Sequence, residues 1–307
     1  MLAGRQVLAI VNPSSGRARV EAVEAALDAA ARTLDMRLTR RRTEAIEDAG
    51  RWAARAADEG FELVLAAGGD GTVGAVAQAL IEERSGLPLG VVPVGTGNGL
   101  ARVLKLPVDA ARALEALDAG GVIDLDAMRR VDDGRVALIF FGAGLDAEIN
   151  RDADAGSKAR LGFLAYLLAA ARNLRGRRNH RVVLELDGRP ETLRAHTVTL
   201  FNAASVELVG IDVGPDVDPH DGMLDVAILR NPGLLRSAAA VLRLVSGHRG
   251  VGTLRSARRV RLEADPPLLV HADGDVIGHT PLEVELLPAA LPVVASQAYL
   301  AARREAT

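Results

Sequence analysis

Two glycine-rich segments carry the residue types that handle phosphate: Gly68-Gly69-Asp70-Gly71-Thr72 and Gly95-Thr96-Gly97-Asn98-Gly99. Glycine lets the backbone turn tightly and lets an anion come close. A helix opening behind such a loop adds free N–H groups and a partial positive charge. Each loop alone could be a plain tight connection, with Asp70 or Thr72 as an ordinary helix cap. Two of them on adjacent strand–helix units, aimed at one sheet edge, favour a nucleotide phosphate. Neither contains Gly-Lys-Ser/Thr, so this is not a P-loop, and Asn12 to Gly16 lacks the G-x-G-x-x-G of a dinucleotide fold.

The surrounding elements explain why the loops meet. Val7 to Val11, Leu63 to Ala67 and Leu89 to Val92 are continuous apolar runs, as in strands covered on both faces. Arg37 to Arg41 reads as a weaker strand. Helical stretches are expected from about Val20 to Leu34, from Glu44 to Asp58, and from Val73. Strand, loop and helix in repetition give βαβ units and a parallel sheet. Ligands bind beyond the carboxyl ends of such strands.

After about Val122 the pattern changes. Short alternating segments appear at Val136 to Phe141, Val182 to Leu186, His196 to Phe201, Leu224 to Leu229, Arg259 to Leu262 and Leu282 to Leu286. Asp-Gly pairs at 133, 187, 221 and 273 suit hairpin turns. A mainly antiparallel β domain is expected, interrupted by a helix at Leu161 to Leu174 and another at Leu234 to Ser246.

Composition narrows the function classes. A net charge of -3 over 307 residues argues against a nucleic-acid partner, and 3% aromatic residues against base-stacking platforms. The absence of cysteine removes disulfides, thiolate metal sites and cysteine nucleophiles, and fits a reducing cytoplasm. The N-terminal apolar run is too short for a signal peptide, and Leu161 to Leu174 is too short to span a bilayer, which takes roughly 20 residues. The expectation is a soluble cytoplasmic protein, at most peripheral on a membrane.

The motifs together resemble the diacylglycerol kinase catalytic-domain family, which includes bacterial lipid kinases and sphingosine kinases. They run in order along nearly the whole chain. First come NPSSG at Asn12 to Gly16, Thr43, GGDGT at Gly68 to Thr72 and PVGTGNGLAR at Pro93 to Arg102. IDL at Ile123 to Leu125, GAGLDAEI at Gly142 to Ile149 and LGFLAYLLAA at Leu161 to Ala170 follow. DPHDGMLDV at Asp218 to Val226 and DGD at Asp273 to Asp275 complete the series. GGDGT alone is shared with NAD kinases; the series is more specific.

The resemblance implies an α/β nucleotide-binding domain over 1–125, joined by 295–307, and a β-sandwich lipid-acceptor domain over 126–294. The active site would lie in the cleft between them. It implies ATP at Asn12, Ser14, Ser15, Gly16, Thr43, Gly68, Gly69, Asp70, Gly71, Thr72, Gly95, Thr96 and Asn98. It implies Mg²⁺ near Asp70, with Asp124 in the same network, and Asp275 as the base for the acceptor hydroxyl. A further Mg²⁺ site would use Asp218, Asp221 and the backbone carbonyl of Met223. Two positions depart from the family pattern. Gly99 stands where the second loop often has Asp, and Asp275 where the D-G-E turn has Glu.

The expected activity is transfer of the γ-phosphate of ATP to a lipid hydroxyl. A soluble acceptor, as in NAD kinases, and a catalytically weakened lipid- or nucleotide-binding protein remain alternatives. Eight basic residues against two acidic ones between Arg151 and Arg181 suit a transient contact with an anionic membrane surface. The bland reading of the same stretch is a helix packed on the β domain. A homodimer stays open.

Overall fold

The computed structural model describes residues 1–13, 17–144, 179–203, 217–229 and 253–306. They fall into two compact units, Met1–Ala127 with Pro288–Thr307, and Met128–Leu287.

In the first unit, β1 (Gln6–Val11), β2 (Arg37–Arg42), β3 (Leu63–Gly68) and β4 (Leu89–Pro93) pair in parallel in the order β2-β1-β3-β4. All six residues of β3 are buried, which accounts for its unbroken apolar sequence. β2 forms the edge, and its Arg-rich sequence keeps that edge soluble and unpaired. The helices are α1 (Arg17–Thr33), α2 (Ile46–Arg55), α3 (Asp70–Glu82), α4 (Gly99–Val103) and α5 (Ala110–Ala119). On its other side β4 is met in parallel by the end of β16 (Leu282–Ala295), with Val293 beside Leu89, and α6 (Gln297–Ala306) follows.

Two local differences from the sequence pattern bear on the site. α3 begins at Asp70 with Gly69 as its N-cap, not at Val73, so Asp70 lies inside the first turn. The pair α4 and α5 has no counterpart in the pattern. Five residues are too few to show a helical period. The start of α5 was nevertheless signalled by Asp109, whose carboxylate accepts the Arg112 N–H at 3.0 Å as an N-cap.

The chain passes to the second unit within β5 (Gly121–Arg130) and returns within β16. There β6 (Val136–Ala137), β7 (Phe140–Gly144), β8 (His180–Leu186), β9 (Arg189–Ala195) and β10 (Thr197–Phe201) are followed by β11 (Leu224–Leu229) and β12 (Thr253–Ala257). β13 (Arg259–Asp265), β14 (Leu269–Ala272) and β15 (Asp275–His279) complete it. One antiparallel sheet runs β12-β11-β10-β7-β14-β15, and a second joins β16 to β13, β8 and β9. Phe141, Val198, Val226 and Val270 of the first sheet share one buried core with Leu184, Val260 and Val284 of the second, so the unit is a sandwich. Each such side chain contributes about 1.5–3 kcal/mol by leaving water. Asp187-Gly188 and Asp273-Gly274 have positive φ at both residues, the two-residue hairpin turn that Asp-Gly favours.

The architecture is therefore the expected α/β unit with a parallel sheet and a mainly antiparallel β unit. Leu161 to Leu174 and Leu234 to Ser246, both read as helices, lie outside the described residues.

Candidate functional site

The two glycine-rich loops of the first unit are laced together. The N–H of Asn98 donates to Asp70 Oδ2 at 2.9 Å, and that of Gly99 to Asp70 Oδ1 at 2.6 Å. The Asp70 carboxylate thus holds the start of α4 against the start of α3. Two charge-assisted hydrogen bonds on one carboxylate are strong ones. The side chain of Asn98 turns back within its own loop, Nδ2 donating to the Gly95 carbonyl at 2.8 Å. Arg102 Nε donates to the Gly97 carbonyl at 2.8 Å, and the Val94 N–H to the Gly68 carbonyl at 3.1 Å.

Glycine is required where the loops touch. A Cβ on Gly95 would lie 2.6 Å from the Gly69 Cα, and one on Gly97 would lie 2.4 Å from Asp70 Oδ2. Asn98 takes a left-handed conformation, φ 52°, which Asn tolerates better than most residues. Its Oδ1 is buried without a hydrogen-bond partner.

The third strand end joins this pair. Asn12 follows β1, and its Nδ2 donates to Thr72 Oγ1 at 2.8 Å. Thr43 is buried at the end of β2, with its N–H on the Val11 carbonyl at 3.0 Å. Asn12, Thr43, Gly68 and Pro93 therefore mark the carboxyl ends of four adjacent parallel strands. Gly71, Thr96 and Gly97 are exposed. Asp124 is an exposed residue of β5. Ser14, Ser15 and Gly16 lie outside the described residues.

In the second unit the two acids of the DGD motif do different work. Asp273 receives the backbone N–H groups of Leu138, Ile139 and Phe140 at 2.8 to 3.0 Å, so it fixes the start of β7. Asp275 is exposed, and Arg135 Nη2 donates to it at 3.0 Å. Arg135 belongs to no sequence motif, because a partner 140 residues away leaves no local signal. Asp218 and Asp221 lie in one turn. Asp218 Oδ1 accepts from the His220 N–H at 3.1 Å, and Asp221 Oδ1 from the Met223 N–H at 2.8 Å. Among the described residues no three His, Cys, Asp or Glu side chains gather as a metal cluster.

One residue outside every sequence motif also stands out. His271 of β14 is fully buried, neither ring nitrogen has a partner, and burial lowers its pKa to about 4. It is neutral at physiological pH.

Comparison with known proteins agrees with this layout. Residues 6–130 match the diacylglycerol kinase catalytic domain, and residues 140–295 match the YegS C-terminal NAD kinase beta sandwich-like domain. A diacylglycerol kinase of Mycobacterium tuberculosis (strain H37Rv) is 30% identical over 94% of this chain and 94% of its own length. The chain belongs to the diacylglycerol kinase family of lipid kinases. A Synechocystis protein is also 30% identical, over 77% of this chain, but the match spans only 55% of that longer protein. The fold is likewise that of the family. A crystal structure of a diacylglycerol kinase from Bacillus anthracis (strain Sterne) superposes with a TM-score of 0.75, covering 96% of this chain and 98% of that one, at 24% identity.

A kinase needs a place for nucleotide phosphates, and the laced loops lie within the stretch matched to the catalytic domain. Their donors suit Mg²⁺ as well as phosphate. Mg²⁺ takes oxygen ligands, and each Asp70 oxygen keeps a lone pair beyond the one used by its N–H donor. The unpartnered Asn98 Oδ1 is another hard oxygen in the same loop pair. The turn at Asp218 and Asp221 offers two carboxylates, each with one oxygen engaged in the turn itself.

Proposed function

We propose that this chain is an ATP- and Mg²⁺-dependent lipid kinase that transfers the γ-phosphate to a hydroxyl of a lipid such as a diacylglycerol. The observation that carries this reading is the Asp70 tie, which holds two glycine-rich loops together at the carboxyl ends of the parallel strands. Phosphoryl transfer depends mainly on positioning and charge neutralisation, to which the loop backbone and a bound Mg²⁺ would contribute. Asn12, Ser14, Ser15, Gly16, Thr43, Gly68 to Thr72, Gly95, Thr96 and Asn98 are the residues assigned to ATP.

Asp70 and Asn98 would hold Mg²⁺, with Asp124 in support, and the ion would neutralise charge on the phosphates. Asp275 would accept the proton of the lipid hydroxyl. Arg135 holds that carboxylate by an exposed ion pair, which water and salt weaken enough for it to be released. A further structural Mg²⁺ at Asp218, Asp221 and the Met223 carbonyl is part of the same reading. An anionic membrane surface is the matching partner. That contact rests on the basic sequence of 151–181, most of which lies outside the described residues. Among the described residues no helix is long and apolar enough to cross a membrane.

Purified protein, labelled ATP and a panel of diacylglycerol, monoacylglycerol, ceramide, sphingosine and NAD test the proposal. Labelled diacylglycerol or a related lipid at saturating Mg²⁺ is the expected result. Label on NAD alone, or on nothing, overturns it.

A further inference from the structure

Asp275 opens β15, and the sheet alone holds that strand poorly. β15 is the last strand of the six-stranded sheet and, among the described residues, pairs only with β14. The pairing is also broken. Val270 stands opposite Gly278, but His271 stands opposite Val276, so Ile277 is an extra residue and the strand bulges there. Asp275 and Val276 are left as a short paired stretch between the Asp273-Gly274 turn and the bulge. A bulge bends its strand and re-aims the side chains beside it. The direction of Asp275 therefore depends on what fixes Ile277.

Side chains tie this stretch to residues 130–140 at three points. Before it, the Asp273 carboxylate receives the N–H groups of Leu138, Ile139 and Phe140. On Asp275 itself lies the Arg135 guanidinium. After it, Arg130 Nη1 donates to the Ile277 carbonyl at 3.1 Å, at the bulge. The three ties differ in strength. Arg135 and Asp275 are 41% and 63% exposed, so their pair is weak. Arg130 is only 13% exposed. Its Nη2 donates to Asp132 Oδ2 at 2.7 Å, and its backbone N–H donates to the Arg135 carbonyl at 2.8 Å across the β5–β6 turn. A planar guanidinium can serve a carboxylate and a carbonyl at once in fixed geometry, which a lysine ammonium on its flexible stem does not.

We propose that Arg130 is a positioning residue for the acceptor base: by gripping the Ile277 carbonyl it holds the β15 bulge, and the bulge fixes where Asp275 points. This deepens the lipid kinase reading and rests on it for the role of Asp275. The demand on the backbone is greater for Asp than for Glu. The shorter side chain has one rotatable bond fewer with which to correct a misplaced strand, and a small misplacement costs much of the rate. Arg130 itself touches no reacting atom in this scheme. It acts only through the strand that carries Asp275.

The test uses the full chain, labelled ATP and dioctanoylglycerol, a water-dispersible acylglycerol. Arg130→Met keeps the apolar stem and removes the fork. The expected result is a kcat lower by about tenfold, with the KM values for ATP and lipid unchanged. In an Asp275→Asn background the same substitution should lower kcat no further, because residues that act as a unit are not additive. A general loss of structure would lower kcat equally in both backgrounds, and that additive result overturns the proposal. Should Arg130→Met not fold, Arg130→Lys, which keeps the charge and one donor group, carries the same cycle with a smaller loss. Amide hydrogen exchange reads the grip without any lipid. The amides of β15 should exchange about tenfold faster in the Arg130 variant while those of β1, β3 and β4 keep their protection. Unchanged exchange in β15 overturns the proposal. If the wild type labels no lipid, the kinase reading falls, and the base with it. If lipid is labelled and the cycle is additive, the kinase reading stands and this one falls.

Discussion

Asp70 ties the starts of two helices together through one side chain. Its carboxylate receives two backbone N–H groups from the opposite loop. Asp70→Asn keeps the size but offers one oxygen and turns an NH₂ toward the second donor. The expected cost is about 2 kcal/mol of stability, read as a lower melting temperature, because a charge-assisted bond is lost and an N–H is left unmet. Turnover of ATP should fall about a hundredfold, since a small displacement of the loops misplaces the phosphate. Wild-type turnover in Asp70→Asn would rule out this tie as the source of positioning. His271 makes a different prediction, about pH. Its folded pKa of about 4 lies below the ordinary value near 6.5, so between those values the unfolded chain binds more protons than the folded one. Stability from the neutral ring is full above pH 6.5 and is lost as pH falls toward 4. About 2 kcal/mol should disappear between pH 7 and pH 5. Denaturant melts of wild type and His271→Phe across that range measure it, and parallel pH curves for the two would contradict it.

At the scale of elements, the glycines divide into those the loops need and those they do not. Gly95 sits against Gly69, so Gly95→Ala drives a Cβ into backbone that cannot yield and should separate the loops. Nucleotide affinity should drop more than tenfold, seen as loss of the ATP-induced rise in melting temperature. Gly74, inside α3, has open space around it, so Gly74→Ala should stabilise the helix by about 0.5–1 kcal/mol with ATP binding intact. Equal effects at the two positions would mean that helix propensity, not loop contact, governs them. The same contrast marks what could be read beforehand. The apolar runs of β1, β3 and β4 and the Asp-Gly hairpins were legible because burial and turn geometry leave local patterns. The start of α3 was placed three residues late, because glycine and aspartate argue against a helix until the facing loop supplies the partner for Asp70. β9 is Arg-Pro-Glu-Thr-Leu-Arg-Ala, an exposed and charged strand whose pairing with β8, not its own pattern, holds it. The burial of His271 had no local signature at all, since an imidazole in an alternating strand carries no mark of which face it takes.

At the scale of the molecule, the notable feature is that the first unit is built from two distant pieces of chain. The return stretch, 288–307, contributes Leu291, Val293, Val294 and Ala295, all buried, and sets Val293 beside Leu89 of β4. Ser296 Oγ donates to the buried Leu104 carbonyl at 2.8 Å, next to the α4 helix that carries one of the two loops. Gly120 shows how tight this docking is, for a Cβ there would lie 2.2 Å from the Ala295 carbonyl oxygen. No pattern near residue 90 announces that its neighbour strand comes from the end of the chain. Pairing of this kind was suggested only by the resemblance to relatives. Its energetic weight can be bounded. Three large buried aliphatic side chains contribute about 1.5–3 kcal/mol each, against a total stability of about 5–15 kcal/mol for a domain. A chain ending at Leu287 should therefore lose cooperative unfolding of the first unit, and with it any stabilisation by ATP. Circular dichroism melts with and without Mg²⁺-ATP read both effects. A sharp melt that still moves to higher temperature with nucleotide would mean that β2-β1-β3-β4 and their helices suffice to hold the loops, and that the returning strand is an accessory.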